Sequence, residues 1–241
     1  MVLIFVLGLL KIMLVNVILS GDNAVVIALA SRNLEKKQRT LAILGGTGGA
    51  VILRVLLTLV AVLLLQIPYL QFCGGLLLVW IAVQLLLEKE EEGGVKAHST
   101  LGAAIWTIIV ADVVMSLDNT LAIAAVAQGD LWLLGLGLAL SIPIIVFGSQ
   151  LILKIMEKFP LIVYAGAGLI AWTAGAMMVE DTKVSVFIPE GINSLVAPVL
   201  TALVVGGCWA SNVLTARAAK KQNPEAPASP SDDAVGTPRQ P

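Results

Sequence analysis

One short polar motif occurs twice inside apolar parts of this chain, as SGDN at 20–23 and as SLDN at 116–119. Each copy is followed by a run of small apolar residues, AVVIALA in the first and TLAIAAVA in the second. An ionised carboxylate in the middle of a bilayer costs roughly 2.5–3.5 kcal/mol on insertion scales. Two such acids in matched settings therefore predict a functional site that is built twice.

The polar side chains in and before the two motifs all offer oxygen ligands. They are Asn16, Asp22, Asn23, Asp112, Asp118 and Asn119. Carboxylate and amide oxygens suit hard divalent cations such as Mg²⁺, Ca²⁺ and Mn²⁺. Zn²⁺ or Cu⁺ would call for histidine or paired cysteine ligands, and the sequence places neither beside the motifs. These six residues are thus the predicted metal site, with the cation as a transported substrate and no tightly bound cofactor.

A structural explanation stays open for the same residues. Arg54 and Lys11 also lie in apolar segments and can pair with the acids. Amides inside membranes often only tie helices together. However, Arg54 corresponds to Gln150 in the second copy, so the basic partner is not duplicated. Cation translocation is the favoured interpretation, and structural ion pairing is the alternative.

Helices that cross a membrane must position these residues. The chain has 241 residues, of which 58% are hydrophobic and 13% charged, against about 25% charged in soluble domains. The net charge of −1 gives no sign of nucleic-acid binding. We therefore predict an all-α polytopic membrane protein whose surroundings are the lipid bilayer. A span needs roughly 20 apolar residues, and seven segments qualify, namely 2–31, 41–65, 70–87, 101–128, 131–153, 161–179 and 194–213.

The first and fourth spans are too long for a straight crossing. A helix of about 30 residues measures about 45 Å, against a hydrocarbon core of about 30 Å, so each is expected to be broken or strongly tilted. Asp112 and Asp118 would be rotated by about 240° and lie about 9 Å apart on a regular helix. They cannot meet at one ion unless the helix breaks between them. Ser20-Gly21 and Ser116 mark the predicted breaks, although Leu117 replaces the glycine in the second copy.

The similarity between the two halves extends beyond the motifs. Asn16 and Asp112 are 96 positions apart, as are the two motif aspartates, and Trp80 and Trp172 are 92 apart. Because each half contains three spans, the second is inserted upside down relative to the first. Inverted repeats with interrupted helices and a midplane site are the architecture of many secondary transporters. We predict two inverted three-helix repeats, 1–92 and 97–184, plus one extra helix, 194–213.

Basic residues set the orientation of a membrane protein. If the N-terminus lies outside, the inner segments 32–40, 88–100 and 154–160 are rich in lysine and arginine, whereas the outer segments carry only Lys183. We predict an N-terminus outside and a C-terminus in the cytoplasm. The transmembrane domain covers 1–215, and the remainder, 216–241, is predicted to be a disordered tail because it is rich in proline, alanine and serine.

VNVILSGDNAVVIALA at 15–30 and ADVVMSLDNTLAIAAVA at 111–127 resemble the paired motifs of the TerC family of integral membrane proteins, in particular its short bacterial members. The resemblance extends over roughly residues 1–215. It implies a transporter of the bacterial plasma (inner) membrane, related to LysE-type exporters, with manganese export as its role. It also implies that the family's metal-site positions fall on the six residues named above.

The residues and the resemblance together predict a membrane transporter that exports a divalent cation, with Mn²⁺ as the first candidate. No ATP-binding motif is present, so a gradient must drive transport, and exchange of protons for metal at the acids stays open. The alternatives are an exporter of a small organic solute and a non-transporting scaffold in tellurite or metal stress. No span contains a histidine that could activate Ser20 or Ser116, which argues against an enzyme. A homo-oligomer is compatible with the sequence.

Overall fold

The computed structural model describes residues 2–64, 66–87, 100–127 and 130–222, and it leaves out some side chains within these ranges, including that of Asp118. The described part consists of α-helices joined by short turns and contains no strand. In chain order the helices are α1 Val2–Leu19, α2 Gly21–Ser31, α3 Lys36–Leu64, α4 Leu70–Leu87, α5 Leu101–Ala127, α6 Leu131–Lys158, α7 Leu161–Glu180 and α8 Glu190–Gln222.

Several of these helices are long and apolar enough to cross a membrane. Within the described ranges, α3, α4, α6, α7 and α8 each qualify, and α1 with α2 forms a sixth candidate if the bent pair is one span. Helix α5, the fourth predicted span, contributes the apolar stretch Leu101–Leu117, which is shorter. The chain is therefore a multi-pass integral membrane protein with five to six candidate spans. The count of seven stays a prediction.

Large apolar side chains cover the outside of the helix bundle. Trp132 is 79% exposed, Phe147 is 70% exposed and Leu203 is 67% exposed. Water would disfavour so much exposed apolar area, whereas lipid tails are its natural neighbour. The outward faces of the helices thus fit a bilayer.

The first predicted span is broken where its sequence suggested. Helices α1 and α2 meet at Ser20 with a bend of 55°. Ser20 has φ −108° and ψ 14°, a conformation open to any residue. A Cβ atom at Gly21 would meet nothing within 4 Å. The bend is therefore centred on Ser20 and does not depend on the conformational freedom of glycine.

The second predicted break is absent, because α5 is one continuous helix from Leu101 to Ala127. The Ser116 hydroxyl donates to the carboxylate of Asp112, one turn earlier in the same helix. The Ser20 hydroxyl makes the equivalent bond to Asn16 in the broken span, so this bond does not decide whether a helix breaks. Leu117 stands where the first copy has Gly21, and leucine is a stronger helix former than glycine, which favours the continuous helix. The expectation of a break at Ser116 is wrong, and positions 112 and 118 stay on different faces of α5.

Glycines set the close packing of α3 against α5. A Cβ atom at Gly46 would lie 2.8 Å from the Ile108 side chain, and one at Gly49 would lie 2.8 Å from that of Ile109. Small residues at such positions let the backbones of membrane helices approach closely. This contact brings the middle of α3, including Arg54, to α5.

The other helix contacts have the reciprocal pattern expected of two related repeats, in which each helix of one repeat packs against the corresponding partner in the other. Helix α3 packs on α5, and correspondingly α6 packs on α1 and α2. Helices α4 and α7, the third of each repeat, pack on each other, and α8 packs mainly on α7. This pairing is what two repeats of three spans would produce. The inverted orientation itself stays a prediction.

Helix α8 continues beyond the predicted end of the last span. It runs to Gln222, although the tail was predicted from 216. The sequence TARAAKKQ at its end is rich in alanine, lysine and arginine, which are strong helix formers, so the helix extends into polar sequence. Most of the predicted tail, 223–241, lies outside the described residues.

Candidate functional site

Arg54 lies at the centre of a buried polar network beside the helix break. Arg54 is 1% exposed, and its Nη2 lies 2.5 Å from Oδ1 of Asp112. Its Nη1 donates to Oδ1 of Asn16 and, at 3.0 Å, to the hydroxyl of Ser20. One guanidinium on α3 thus joins α1, the break and α5.

Asp112 is shared between Arg54 and the first motif. The amide Nδ2 of Asn23 donates to Oδ1 of Asp112 at 2.7 Å, and the Ser116 hydroxyl donates to Oδ2 at 3.3 Å. Asp112 is 9% exposed and Asn23 is 2% exposed. The other amide atom of Asn23, Oδ1, is buried and accepts no hydrogen bond in the described structure. The break therefore turns Asn23 towards Asp112 and leaves one oxygen without a donor.

Asn16 ties α1 to α6 as well as to α3. Its Nδ2 donates to the hydroxyl of Ser141 at 2.5 Å, and its Oδ1 accepts from the Ser20 hydroxyl at 3.2 Å. Ser141 in turn donates to the Leu138 carbonyl at 2.6 Å. Both hydrogen-bonding atoms of the Asn16 amide are thus engaged by protein groups.

Asp22 lies at the edge of this network. Its Oδ1 accepts from the backbone N–H of Asn23 at 2.9 Å, at the positive N-terminal end of α2. It is half-buried and lies within electrostatic range of Arg54 and Asp112. Asp22 therefore remains partly exposed, whereas Asn16, Asn23 and Asp112 are buried.

The second motif contributes differently from the first. Nδ2 of Asn119 donates to the carbonyl of Leu19 at 3.2 Å. Leu19 is the last residue of α1, so its carbonyl has lost the helical partner that a continuous helix would supply. Asn119 thus stabilises the break itself. The side chain of Asp118 lies outside the described part of the structure.

The structure therefore brings Asn16, Asn23 and Asp112 into one network, places Asp22 beside it, and uses Asn119 at the break. The structural alternative is realised for Asp112, which pairs with Arg54. Lys11, the second candidate partner, is exposed. Among the described residues there is no group of three or more histidine, cysteine or acidic side chains that could hold a metal. Any ion in this conformation would be bound largely by amide and backbone oxygens.

Two members of the network were underestimated from the sequence. Arg54 was named only as a possible counter-ion, and Ser141 was not named. The available signals were a lone arginine in the middle of a span and a serine two positions before Pro143 in another. Both are polar residues where the bilayer makes polarity costly, which is the criterion that identified the aspartates.

Comparisons with known proteins agree with the sequence motifs. Residues 3–223 match the family described as "Integral membrane protein TerC family". The chain is 46% identical over 202 residues to the "Uncharacterized membrane protein YjbE" of Bacillus subtilis, which covers 83% of this chain and 93% of that protein. It is 32% identical over 153 residues to the "Uncharacterized membrane protein YceF" of the same organism, which covers 59% of each. No solved structure matches significantly.

Proposed function

The chain belongs to the TerC family of integral membrane proteins, and from this premise we propose that it transports a divalent metal cation, Mn²⁺ first among them, out of the cytoplasm. The membrane is the bacterial inner membrane, and the cation site lies at the break between α1 and α2. Its ligands come from Asp22, Asn23 and Asp112, and Asp118 adds a further formal negative charge on α5.

The buried Oδ1 of Asn23 is the observation that carries this proposal. An unsatisfied buried acceptor costs about 1–3 kcal/mol, and natural structures rarely leave one without a reason. This oxygen belongs to an amide whose nitrogen is fixed on Asp112. A hard cation seated between Asn23 and the neighbouring carboxylates would give it a partner.

The charge of the site also suits a dication. Asp22 and Asp112 carry two formal negative charges, which equal in size the charge of one divalent cation once Arg54 has moved away from Asp112. Neutralising them matters because an uncompensated charge is costly in a low-dielectric interior.

Arg54 acts in this proposal as a resident cation that the metal must displace. In the described conformation its guanidinium holds the carboxylate of Asp112. Binding of a metal at Asp112 would require the two to separate, and the bend at Ser20 lets α2 move without unwinding α1. Rocking of the two repeats would then open the site to either side of the membrane.

The test is uptake of Mn²⁺ into inside-out vesicles that contain equal amounts of each variant. Asp22→Asn should reduce uptake by on the order of tenfold or more, because a charged ligand is replaced by a neutral one. Asp118→Asn should also reduce uptake, because it removes a negative charge that attracts the cation. Asp130→Asn is the matched control, since Asp130 caps α6 at its N-terminus, away from the break, and asparagine also caps helices well. Its uptake should equal wild type.

Three outcomes would count against the proposal. Wild-type uptake no greater than that of empty vesicles, with Mg²⁺ and Ca²⁺ also inert, would leave the scaffold function. Equal uptake by the two site variants and the wild type would show that the transported ion does not bind at the duplicated acids. Equal losses in all three variants would point to a general effect of charge.

Arg54 favours a second candidate, the export of a small organic solute. A buried guanidinium is the group that would bind a substrate carboxylate. Asp112, Asn16 and Ser20 already engage it, so such a substrate would have to replace Asp112. Uptake of labelled amino acids in the same vesicles, lost in Arg54→Lys but unaffected by Asp22→Asn, would favour this candidate over the cation.

A further inference from the structure

A second polar site lies at the other end of α2, about 15 Å along the helix from Asp22. There Arg32, Arg39, Glu157, Tyr164 and Asn212 line a cavity of about 430 Å³, which we call the arginine pocket. Arg32 lies in the turn after α2, Arg39 in the first turns of α3, Glu157 at the end of α6 and Tyr164 near the start of α7, while Asn212 lies in the later part of α8. In the predicted orientation this pocket faces the cytoplasmic surface of the membrane.

Arg39 is fixed in the wall of the pocket, but not all of its N–H groups form hydrogen bonds. Its Nη1 pairs with Oε1 of Glu157 at 2.7 Å, and its Nη2 donates to the carbonyl of Arg32 at 2.8 Å. Its Nε is buried and has no hydrogen-bond partner in the described structure. The guanidinium is thus fixed in place while one N–H still lacks an acceptor.

Arg32 and Tyr164 complete the polar wall. Nη2 of Arg32 donates to the carbonyl of Leu85 at 3.0 Å, which anchors the side chain at the end of α4. The Tyr164 hydroxyl accepts from Nδ2 of Asn212 at 3.2 Å, so its own proton can be donated elsewhere. Among the described residues that line it, the pocket therefore holds two guanidinium groups and a phenol, and one carboxylate, that of Glu157.

The other side of the pocket is apolar. Leu86, Leu153, Met156 and Val163 line it, and Lys36 and Lys154 stand on the exposed surface of the neighbouring helix ends. Basic pockets between membrane helices on the cytoplasmic side bind the head groups of anionic lipids. The combination of guanidinium donors with an apolar wall fits an amphipathic ligand better than a free ion.

We propose that the arginine pocket binds the phosphate group of an anionic phospholipid from the inner leaflet, with Arg39 and Arg32 as the phosphate donors. Planar guanidinium groups match phosphate oxygens in pairs, which a lysine cannot do. Glu157 competes with the phosphate for Arg39. The bound lipid would join α3, α6 and α8, and it would act on stability whether or not the protein transports a metal.

The experiment measures the thermal unfolding midpoint of the full chain in phosphatidylcholine nanodiscs with increasing fractions of phosphatidylglycerol. The midpoint of the wild type should rise with the anionic lipid. Arg39→Gln should weaken the apparent lipid affinity on the order of tenfold, because a hydrogen bond between charged groups is lost. Lys158→Gln removes the same charge outside the pocket and should keep the wild-type shift.

Glu157→Gln supplies a second test that does not remove an arginine. The variant frees Arg39 from its carboxylate and should strengthen the response to phosphatidylglycerol several-fold. The proposal is overturned if Arg39→Gln and Lys158→Gln behave alike, or if Glu157→Gln brings no gain. An equal midpoint rise from inorganic phosphate in pure phosphatidylcholine would overturn the lipid as its source.

Discussion

At the scale of single residues, the Arg54–Asp112 pair determines how the helix break can be understood. Taking two charges out of water is expensive, and their mutual attraction repays this cost only when further hydrogen bonds satisfy both groups. Asp112 meets that condition through Asn23 and Ser116. Arg54 meets it in part, because its Nη1 donates to Asn16 and Ser20 while its buried Nε has no partner in the described structure. The pair is therefore specific to this arrangement, and its members depend on each other.

A double-mutant cycle should expose this dependence. Arg54→Met alone should lower the free energy of unfolding by about 3–5 kcal/mol, because it leaves the buried carboxylate of Asp112 without its counter-ion. Adding Asp112→Leu should restore part of the loss, since the unpaired charge is then gone. Reversible chemical unfolding in one detergent measures all four corners of the cycle.

The exposed pair Arg39–Glu157 is the matched comparison for the buried pair. The Glu157 side chain is 60% exposed, so Glu157→Gln should change the unfolding free energy by no more than about 1 kcal/mol in neutral detergent. If the losses of unfolding free energy at Arg54 and Asp112 are additive and as small as the loss at the exposed pair, the buried pair has no coupling energy of its own.

At the scale of elements, the two predicted breaks show what the sequence could and could not determine. Apolar length identified spans one and four as too long for straight helices, and that inference needed no tertiary information. Whether the helix then breaks depends on which groups form hydrogen bonds with the backbone N–H and C=O groups that a break would free. The Leu19 carbonyl has Asn119, a residue 100 positions away. The equivalent amide of the first copy, Asn23, donates to the Asp112 carboxylate and is not available to a freed carbonyl of α5, and α5 stays intact.

The same limit applies to the candidate site. Rare polar residues in a membrane carry a strong signal, and on this basis the sequence predicts a site that includes Asn16, Asn23 and Asp112. The structure joins these three residues in one network, and their role as metal ligands stays a prediction. Arg54 carries an equal signal, but no local pattern told whether it faced the acids or lipid. That was decided by the close contact of α3 with α5, through glycines whose partners on α5 cannot be read from α3 alone.

Gly46 and Gly48 provide a direct test of this contact. Gly46→Ala should destabilise the protein by about 1–3 kcal/mol, because the new Cβ would lie 2.8–2.9 Å from three atoms of Ile108, a β-branched residue that is itself buried. Gly48→Ala meets nothing within 4 Å and should be neutral or stabilise α3 by up to about 1 kcal/mol. Thermal unfolding midpoints measure both, and equal effects would contradict the close approach.

Asp181 connects the end of α7 to the start of α4 and should make stability depend on pH. It is 2% exposed, and burial alone would raise its pKa. The backbone N–H groups of Lys183, Phe72 and Val184 donate to its carboxylate, and together they lower the pKa below its ordinary value. A lowered folded-state pKa means stability that is complete above the ordinary value and is lost as pH falls through the folded value.

Asp181→Asn should therefore cost about 1–2 kcal/mol near neutral pH, since charge-assisted hydrogen bonds become neutral ones. The difference from wild type should shrink in acid, as the wild-type carboxylate becomes protonated. Unfolding midpoints of both proteins from neutral pH down to below pH 4 test this, as that range passes the ordinary value of 3.8. A difference that stays constant with pH would rule out the charged carboxylate as the cause.

At the scale of the whole molecule, the helix pairing limits how the protein can move. Helices α4 and α7 pack on each other. The absence of a side chain at Gly75 allows this contact, because a Cβ atom there would lie 2.7 Å from the Ala174 carbonyl oxygen. The broken span and α5 pack together at the polar network. The proposed rocking of one repeat against the other would have to change these contacts between equivalent helices, together with those of α3 on α5 and of α6 on α1 and α2.

Such a motion requires that equivalent turns lie on opposite sides of the membrane, which labelling can decide. After Cys73→Ala and Cys208→Ala, the variants Gln66→Cys and Lys183→Cys should react with a membrane-impermeant maleimide from outside intact cells. Lys36→Cys and Lys158→Cys should react only after the membrane is opened. All four positions are exposed in the structure, so a lack of reaction reports sidedness.

The four positions also discriminate between the architectures. Position 66 follows α3 and position 158 ends α6, which are the second helices of the two repeats. Inverted repeats place these two ends on opposite sides, whereas a parallel duplication places them on the same side. Labelling of 66 and 158 from the same side would exclude the inverted arrangement. That result would also exclude the proposed mechanism, in which one central site opens alternately to the two sides, because repeats of the same orientation are not related by an axis in the membrane plane.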